Sequence, residues 1–359
     1  MTLPRNPRPS TAAVVVALLT VYLVWGSTYF AIAVMIETMP PLLSAGVRFV
    51  TAGLLMLGAL VAHARLRPGA APIERPTSAQ WRTAFIVGTL LLLGGNGGVV
   101  LSELRIPSGV AAVLVATVPI WLAVLDALVT RRRPSGLVVG GLVAGIVGVA
   151  VLLAPVEGID GLDPIGVLLV VGAALSWAIG SLYARHAPLP RSNLLGTGME
   201  MLGGGLALIV AGALLGEIGR TDLASFSARS LLAIGYLVVV GSIAGYTAYT
   251  WLLAHVPVTT AGTYAYVNPI VAVALGAIFL AEPITPRTVV ATVLIIVAVA
   301  AMVSGRPRAA EEPGPAPEVA VLEPPAPPAR LAPIMRPDRP HEEVSDDRRP
   351  DAPRAPGVG

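Results

Sequence analysis

The sequence predicts an all-α polytopic membrane protein: ten transmembrane helices arranged as two inverted five-helix repeats, with N and C termini cytoplasmic. Three observations carry that prediction. Hydrophobic residues make up 55% of the 359-residue chain and charged residues only 13%, against about a quarter charged in a soluble domain. The charges cluster, leaving ten apolar runs, each near the ~20 residues that cross ~30 Å of hydrocarbon. The chain also resembles itself at a fixed offset, with Pro119 falling on Pro269 (269 − 119 = 150).

The runs lie at 12–35, 42–62, 83–102, 108–129, 137–154, 165–183, 194–215, 231–253, 258–280 and 287–304. The first is too long for the apolar core of a signal peptide, and further spans follow at once, so it reads as a helix. Arginine orients the set, because the sequence has no lysine. Arg5 and Arg8 precede the first span, Arg65, Arg67, Arg75 and Arg82 follow the second, and "RRR" at 131–133 follows the fourth. Arg185 and Arg191 follow the sixth, and Arg306 and Arg308 follow the tenth. The alternate loops hold Glu37, Glu103 with Arg105, and the acidic "VEGIDGLD". Positive charge favours the cytoplasmic side, which puts both termini there. Fourteen prolines fall in 305–359, a composition unable to bury enough apolar area to order itself, so this segment reads as a disordered cytoplasmic tail.

The self-similarity extends beyond one proline. Pro107 falls on Pro257, Ala111 on Ala261, Ile120 on Ile270, and "TRRRP" (130–134) lies opposite "LAEPI" (280–284). "VWGSTY" (24–29) resembles "SWAIGSLY" (176–183) with a two-residue slip. The organisation is therefore a short N-tail (1–11), a first repeat (12–154), a second (165–304) and the tail. Five spans are odd in number, so the second repeat enters the membrane inverted. Inverted repeats are a common architecture of secondary transporters, with the binding site near the midplane between the halves.

The stretch "TYAYVNPI" (263–270) places Tyr264, Tyr266 and Asn268 beside Pro269 inside an apolar run. Pro119 and Pro269 read as symmetric helix kinks, which free a backbone carbonyl where protein or a water-filled cavity meets it. Residues 264 and 268 share a helix face, and Tyr246 lies in the preceding span. Tyr249 and Trp251, near that span's end, fit an interfacial aromatic belt equally well. In the first span Trp25, Ser27, Thr28 and Tyr29 form a polar, aromatic group echoed by Trp177, Ser181 and Tyr183. Asn96, in "LGGNGGV", would line a cavity or bond two helices together. Trp121 is a further cavity candidate, with core packing as its alternative.

Ionisable residues inside spans are costly and mark function. Arg48 and Glu200 each lie about six residues from opposite membrane faces, or about 9 Å deep at ~1.5 Å per residue. Arg48 suits an anionic or carboxylate group, and Glu200 suits a cationic group or a proton. Snorkelling to the nearer interface is the alternative for both. Asp126, five residues before Arg131, reads as half of a local ion pair.

"VYLVWGSTYFAI", "PSGVAAVLVATVPIW" and "VPVTTAGTYAYVNPIVAVALGAIFLAEPITPRT" resemble the EamA family of the drug/metabolite transporter superfamily, over about 12–304. The resemblance implies a ten-helix bundle acting on small metabolites, often as an exporter. It also implies a cavity lined by the first four helices of each half, with the fifth peripheral. One departure is "TRRRP", where such repeats usually carry a Gly-Glu-Arg-type turn. The expected function is export of amino acids, aromatic metabolites or drugs from a bacterial cell through its inner (plasma) membrane. An importer, or a membrane scaffold or sensor, is the alternative. The expected partners are a small-molecule substrate and the lipid bilayer, with a proton as candidate coupling ion and no nucleic acid. No cofactor and no metal site are expected, since cysteine is absent and His63, His186, His255 and His341 are scattered. The same scatter argues against an enzyme. Without lysine there is no phosphate-binding Gly-Lys-Ser/Thr loop, so a gradient or the solute itself must supply the energy.

Overall fold

The computed structural model describes residues 10–67, 73–131, 135–153, 162–185, 187–256 and 263–304. The expectations for both tails, for Arg132 and Arg133 and for Pro257 lie outside the described residues. Within them all regular structure is helical. The chain opens with α1 (Thr11–Ile36), α2 (Pro41–Leu66) and α3 (Ser78–Ser102). The span Ser108–Val129 is two helices, α4 (Ser108–Val115) and α5 (Val118–Thr130). Then come α6 (Gly136–Leu153), α7 (Pro164–Ala184), α8 (Asn193–Leu214) and α9 (228–255), with α10 (Tyr264–Leu280) and α11 (Pro286–Ser304) closing the set.

Among the described residues, seven spans are long and apolar enough to cross a membrane: α1, α2, α3, α4 with α5, α7, α8 and Ala228–Tyr249 of α9. The other three expected spans hold shorter apolar stretches, Gly136–Val151, Val267–Leu280 and Pro286–Ala301. Each of these adjoins residues outside the described set. Outward faces are apolar, as at Leu168, Leu214 and Ile278, each at least 70% exposed. Lipid tails suit such surfaces and water does not.

Two helices carry an internal π-helical stretch, Thr89–Gly97 in α3 and Leu237–Ala244 in α9. Such stretches loosen the normal hydrogen-bond ladder, and Ser176 Oγ of α7 donates to Leu90 O of α3 at 2.7 Å. The prolines behave differently from the symmetric expectation. Pro119 stands in the first turn of α5, after a break at Ala116 and Thr117, whereas Pro269 lies inside a continuous α10. A first-turn proline costs no hydrogen bond, so the first site is a restart and only the second is an internal proline.

The broadest helix pairings are α2 with α8, α6 with α11, and α1 with α10. Further, α3 packs on α7 and α8, α4 on α10 and α7, and α9 on α1 and α2. Lipid offers no hydrophobic drive to pair helices, so small residues that let backbones touch do this work. A Cβ on Gly46 of α2 would lie 2.8 Å from Gly205 O of α8. One on Gly88 of α3 would collide with Glu200 O.

Candidate functional site

Four rings from three helices meet beneath the α1–α9 contact. The Trp25 centroid lies 5.3 Å from Tyr246, 5.0 Å from Tyr249 and 4.9 Å from Tyr264, and Tyr249 and Tyr264 are 5.7 Å apart. The Tyr246 and Tyr264 contacts are edge-on, which suits the positive rim and negative face of aromatic rings. Gly245 makes room for the indole, since a Cβ there would sit 2.5 Å from Trp25 Nε1.

A guanidinium borders the rings. Arg48 is 4% exposed, so it does not snorkel. Its Nε donates to Ser242 Oγ in the π-helical stretch of α9 at 3.1 Å, and its Cζ stands 4.5 Å over the Phe49 ring. A Cβ on Gly241 would lie 3.2 Å from Thr28 Cγ2 and 3.4 Å from Arg48 Nη2, so Thr28 and Arg48 reach the same patch of α9. Arg48 makes no ion pair with Glu200, but both lie in electrostatic range of the Tyr246 hydroxyl. Ser27 gives its one hydrogen to Val24 O at 2.8 Å, so Tyr236 is the donor in the 2.6 Å bond to Ser27 Oγ.

The structure thus brings together Trp25, Ser27, Thr28, Arg48, Tyr246 and Tyr264, with Glu200 at the margin. Asn268 lies beside them and suits a helix-bonding role: with its amide turned so that nitrogen meets the two carbonyls, it donates to Tyr264 O at 3.1 Å and Tyr22 O at 3.2 Å. Trp177 packs over Gly95 of α3, and Asn96 is half-buried in the same π-helical stretch. Trp121 is half-buried in α5 outside the ring group, and Tyr183 is 38% exposed on α7. The Tyr266 side chain lies outside the described residues. A cavity of about 190 Å³ sits elsewhere, lined by residues such as Thr38, Glu217 and Phe226.

Sequence reasoning missed a second polar group, set where helices end. Glu282 accepts from Ser108 N (2.7 Å), Ser108 Oγ (2.8 Å) and Gly109 N (3.0 Å) at the start of α4. Glu103, just past α3, lies within electrostatic range of Glu282 and the Tyr29 hydroxyl. Arg105, in the same loop, pairs with Asp163 at 2.8 Å. The available signal was a lone acid directly after an apolar run, "GGVVLSEL".

A helix bundle with apolar outward faces, several of its helices long enough to cross a membrane, is a multi-pass membrane protein. The chain matches the EamA-like transporter family twice, over residues 12–154 and 164–304, and belongs to that family. Uncharacterized inner membrane transporter YedA of Escherichia coli (strain K12) is 39% identical over 263 residues, covering 72% of this chain and 80% of the relative. A probable amino-acid metabolite efflux pump of Salmonella typhimurium is 26% identical over 286 residues, covering 77% and 90%. Uncharacterized transporter YvbV of Bacillus subtilis is 27% identical over 287 residues, covering 79% and 90%. A solved crystal structure shares the fold at 19% identity, with a TM-score of 0.54, covering 81% of this chain and 96% of that one. The protein is thus a multi-pass plasma-membrane protein of a transporter family.

Proposed function

We propose that this protein is a secondary transporter that exports small organic metabolites by alternating access between two inverted five-helix repeats. The observation that carries the reading is convergence. Helix α1 brings Trp25 against Tyr246 of α9 and Tyr264 of α10, and Thr28 of α1 and the buried Arg48 of α2 reach Gly241 of α9, so both family matches contribute to one half-buried cluster. A site shared this way changes shape when the halves rock against each other.

Three further observations support the repeat. Arg131 and Ala281, both non-glycine residues with left-handed backbone (φ 54° and 53°), stand 150 apart (281 − 131). The π-helical stretches start 148 apart (237 − 89). The packing partners also exchange: α1 on α9 is matched by α7 on α3, and α3 on α8 by α9 on α2.

The chemistry favours amphiphilic solutes bearing a carboxylate. Arg48 presents a planar fork of donors that grips a carboxylate in exchange for its Ser242 bond. The rings take a flat apolar part, and Glu200 suits an amine. Amino acids, aromatic metabolites and amphiphilic drugs fit this description, and the name of the Salmonella relative favours the first class and the outward direction. The test is untargeted metabolite profiling inside and outside cells making wild type, Arg48→Ala or Tyr264→Ala at matched membrane levels. Wild type is expected to enrich a solute outside. Arg48→Ala is expected to cut its export about tenfold or more, as loss of a charge-assisted bond of about 1.5–3 kcal/mol implies. If no solute moves in any strain while all three proteins insert, export is refuted.

A further inference from the structure

The turn after α10 is built to reach across to α4. Ala281 takes the left-handed conformation (φ 53°), and the Glu282 amide turns back to donate to Gly276 O at 3.1 Å. The Glu282 carboxylate then accepts from Ser108 N (2.7 Å), Ser108 Oγ (2.8 Å) and Gly109 N (3.0 Å) in the first turn of α4. Two glycines clear the way. A Cβ on Gly276 would collide with Glu282 Oε2, and one on Gly109 would lie 3.0 Å from Val273 Cα of α10. Ser108 is 1% exposed, and the void beside the joint is about 10 Å³, close to the volume of one water position. The joint between α4 and α10 is shut, and charge-assisted bonds hold it.

These helices come from different family matches, and the repeat does not carry the tie over. The position 150 earlier in the chain is Arg132 (282 − 150), in "TRRRP". A guanidinium has donors and no acceptor, so it cannot receive amide hydrogens at any helix start. Arg131, just before it, does share the left-handed backbone of Ala281 (φ 54° against 53°). The turn is repeated and the latch is not.

A second contact between the two matches is made differently. α2 and α8 touch closely at several glycines, where a Cβ on Gly53 would lie 3.0 Å from Gly198 O and one on Gly46 2.8 Å from Gly205 O. Carboxylates tie both ends of this seam. Glu217 holds the first turn of α2, and Glu74, in the loop after α2, accepts from Arg191 N at 2.9 Å just before α8. Movement between the halves therefore falls on the α4–α10 joint rather than on the seam.

We propose that Glu282 is a one-sided latch, which keeps the α4–α10 joint closed and makes the conformation shut to the outside the resting state of the transporter. This rests on the transport reading above and on the orientation read from arginine, which puts the joint at the outer face. Each export cycle breaks the Glu282 bonds to α4 once, and they re-form after the solute has left. Two halves alike in sequence would favour neither side. The exchange of a carboxylate for a guanidinium at one turn sets the preference.

The native chain has no cysteine, so spin labels report on the joint without background. Leu104 and Ile284, 53% and 52% exposed, flank it on the turn before α4 and the turn after α10. With both changed to cysteine and labelled in lipid nanodiscs, electron paramagnetic resonance should give one dominant distance. Glu282→Gln should add a longer distance and raise its share about tenfold or more, as weakening charge-assisted bonds implies. Ser108→Ala removes one donor and leaves the carboxylate with every other contact it makes, and should raise that share about threefold. A reporter pair across the seam, Val47→Cys with Leu214→Cys, should stay unchanged in both variants.

Distances at the joint that neither variant alters would overturn the proposal. A seam pair that spreads as much as the joint would also overturn it, because the variants would then loosen the whole bundle. These readings need no solute. If cells making wild type export nothing, the transport reading falls alone, and the spectra still decide the latch.

Discussion

Two carboxylates, Glu217 and Glu282, reach from the second family match to the start of a helix in the first. Glu217 follows Gly216 (φ 77°) and accepts from Leu42 N (3.1 Å) and Leu43 N (2.8 Å) at α2. Glu282 follows Ala281 (φ 53°) and does the same at α4. Both helices begin after a proline, Pro40 and Pro107, that offers no side-chain cap. The first-turn amides would otherwise be orphaned, so the cap comes from elsewhere in the chain and ties distant segments together. The difference lies in the company each keeps. Glu217 is satisfied by its two amides, whereas Glu282 also lies within electrostatic range of Glu103, whose carboxylate oxygens make no hydrogen bond. One device thus makes an isolated staple in one place and, in the other, a staple set near a second buried carboxyl.

Substitutions can separate these roles. Glu217→Ala should show the largest loss of stability, about 2 kcal/mol or more, because it strands two amides under a lost cap. Thermal unfolding in detergent, followed by size-exclusion fluorescence, measures this. Glu282→Ala should cost less than Glu217→Ala, since relief of its repulsion with Glu103 offsets part of the lost cap. The reverse order would mean that the two carboxyls do not oppose each other.

Glu103→Gln should change stability by less than about 1 kcal/mol in either direction, because no hydrogen bond is broken. A loss comparable to that of Glu217→Ala would make Glu103 a structural residue. The smallest effect belongs to Asp163, which is held below the ordinary carboxylate range first by Arg105 and then by the Ile165 amide. A depressed carboxyl stabilises the fold above its unfolded value of 3.8 and loses that contribution as pH falls further. Asp163→Asn should therefore flatten only the acid end of the melting profile.

Much of the architecture was legible because lipid imposes a simple rule: long uncharged runs become helices. The individual candidate residues stood out for the same reason, since Arg48, Tyr246 and Tyr264 are polar groups where apolar ones would do. Which of them meet was not legible. Trp25 finds Tyr249 and Tyr264 only because α1 lies against both α9 and α10, and that depends on glycine contacts scattered along the chain. Tyr183 shows the converse, since its resemblance to Tyr29 in sequence does not carry it inside. Glu103 was masked by nearness in sequence. Arg105 stands two residues away, yet it bonds Asp163, 58 positions on.

The central claim is that the cluster around Trp25 and Arg48 opens to each side of the membrane in turn. The native chain has no cysteine, so a single Thr28→Cys variant offers one thiol beside Arg48. A membrane-impermeant thiol reagent would be applied to intact cells and to inverted membrane vesicles. The account predicts labelling from both sides, with addition of the transported solute changing the two rates in opposite directions. Labelling from one side only, or from neither, in a folded and inserted protein would contradict it.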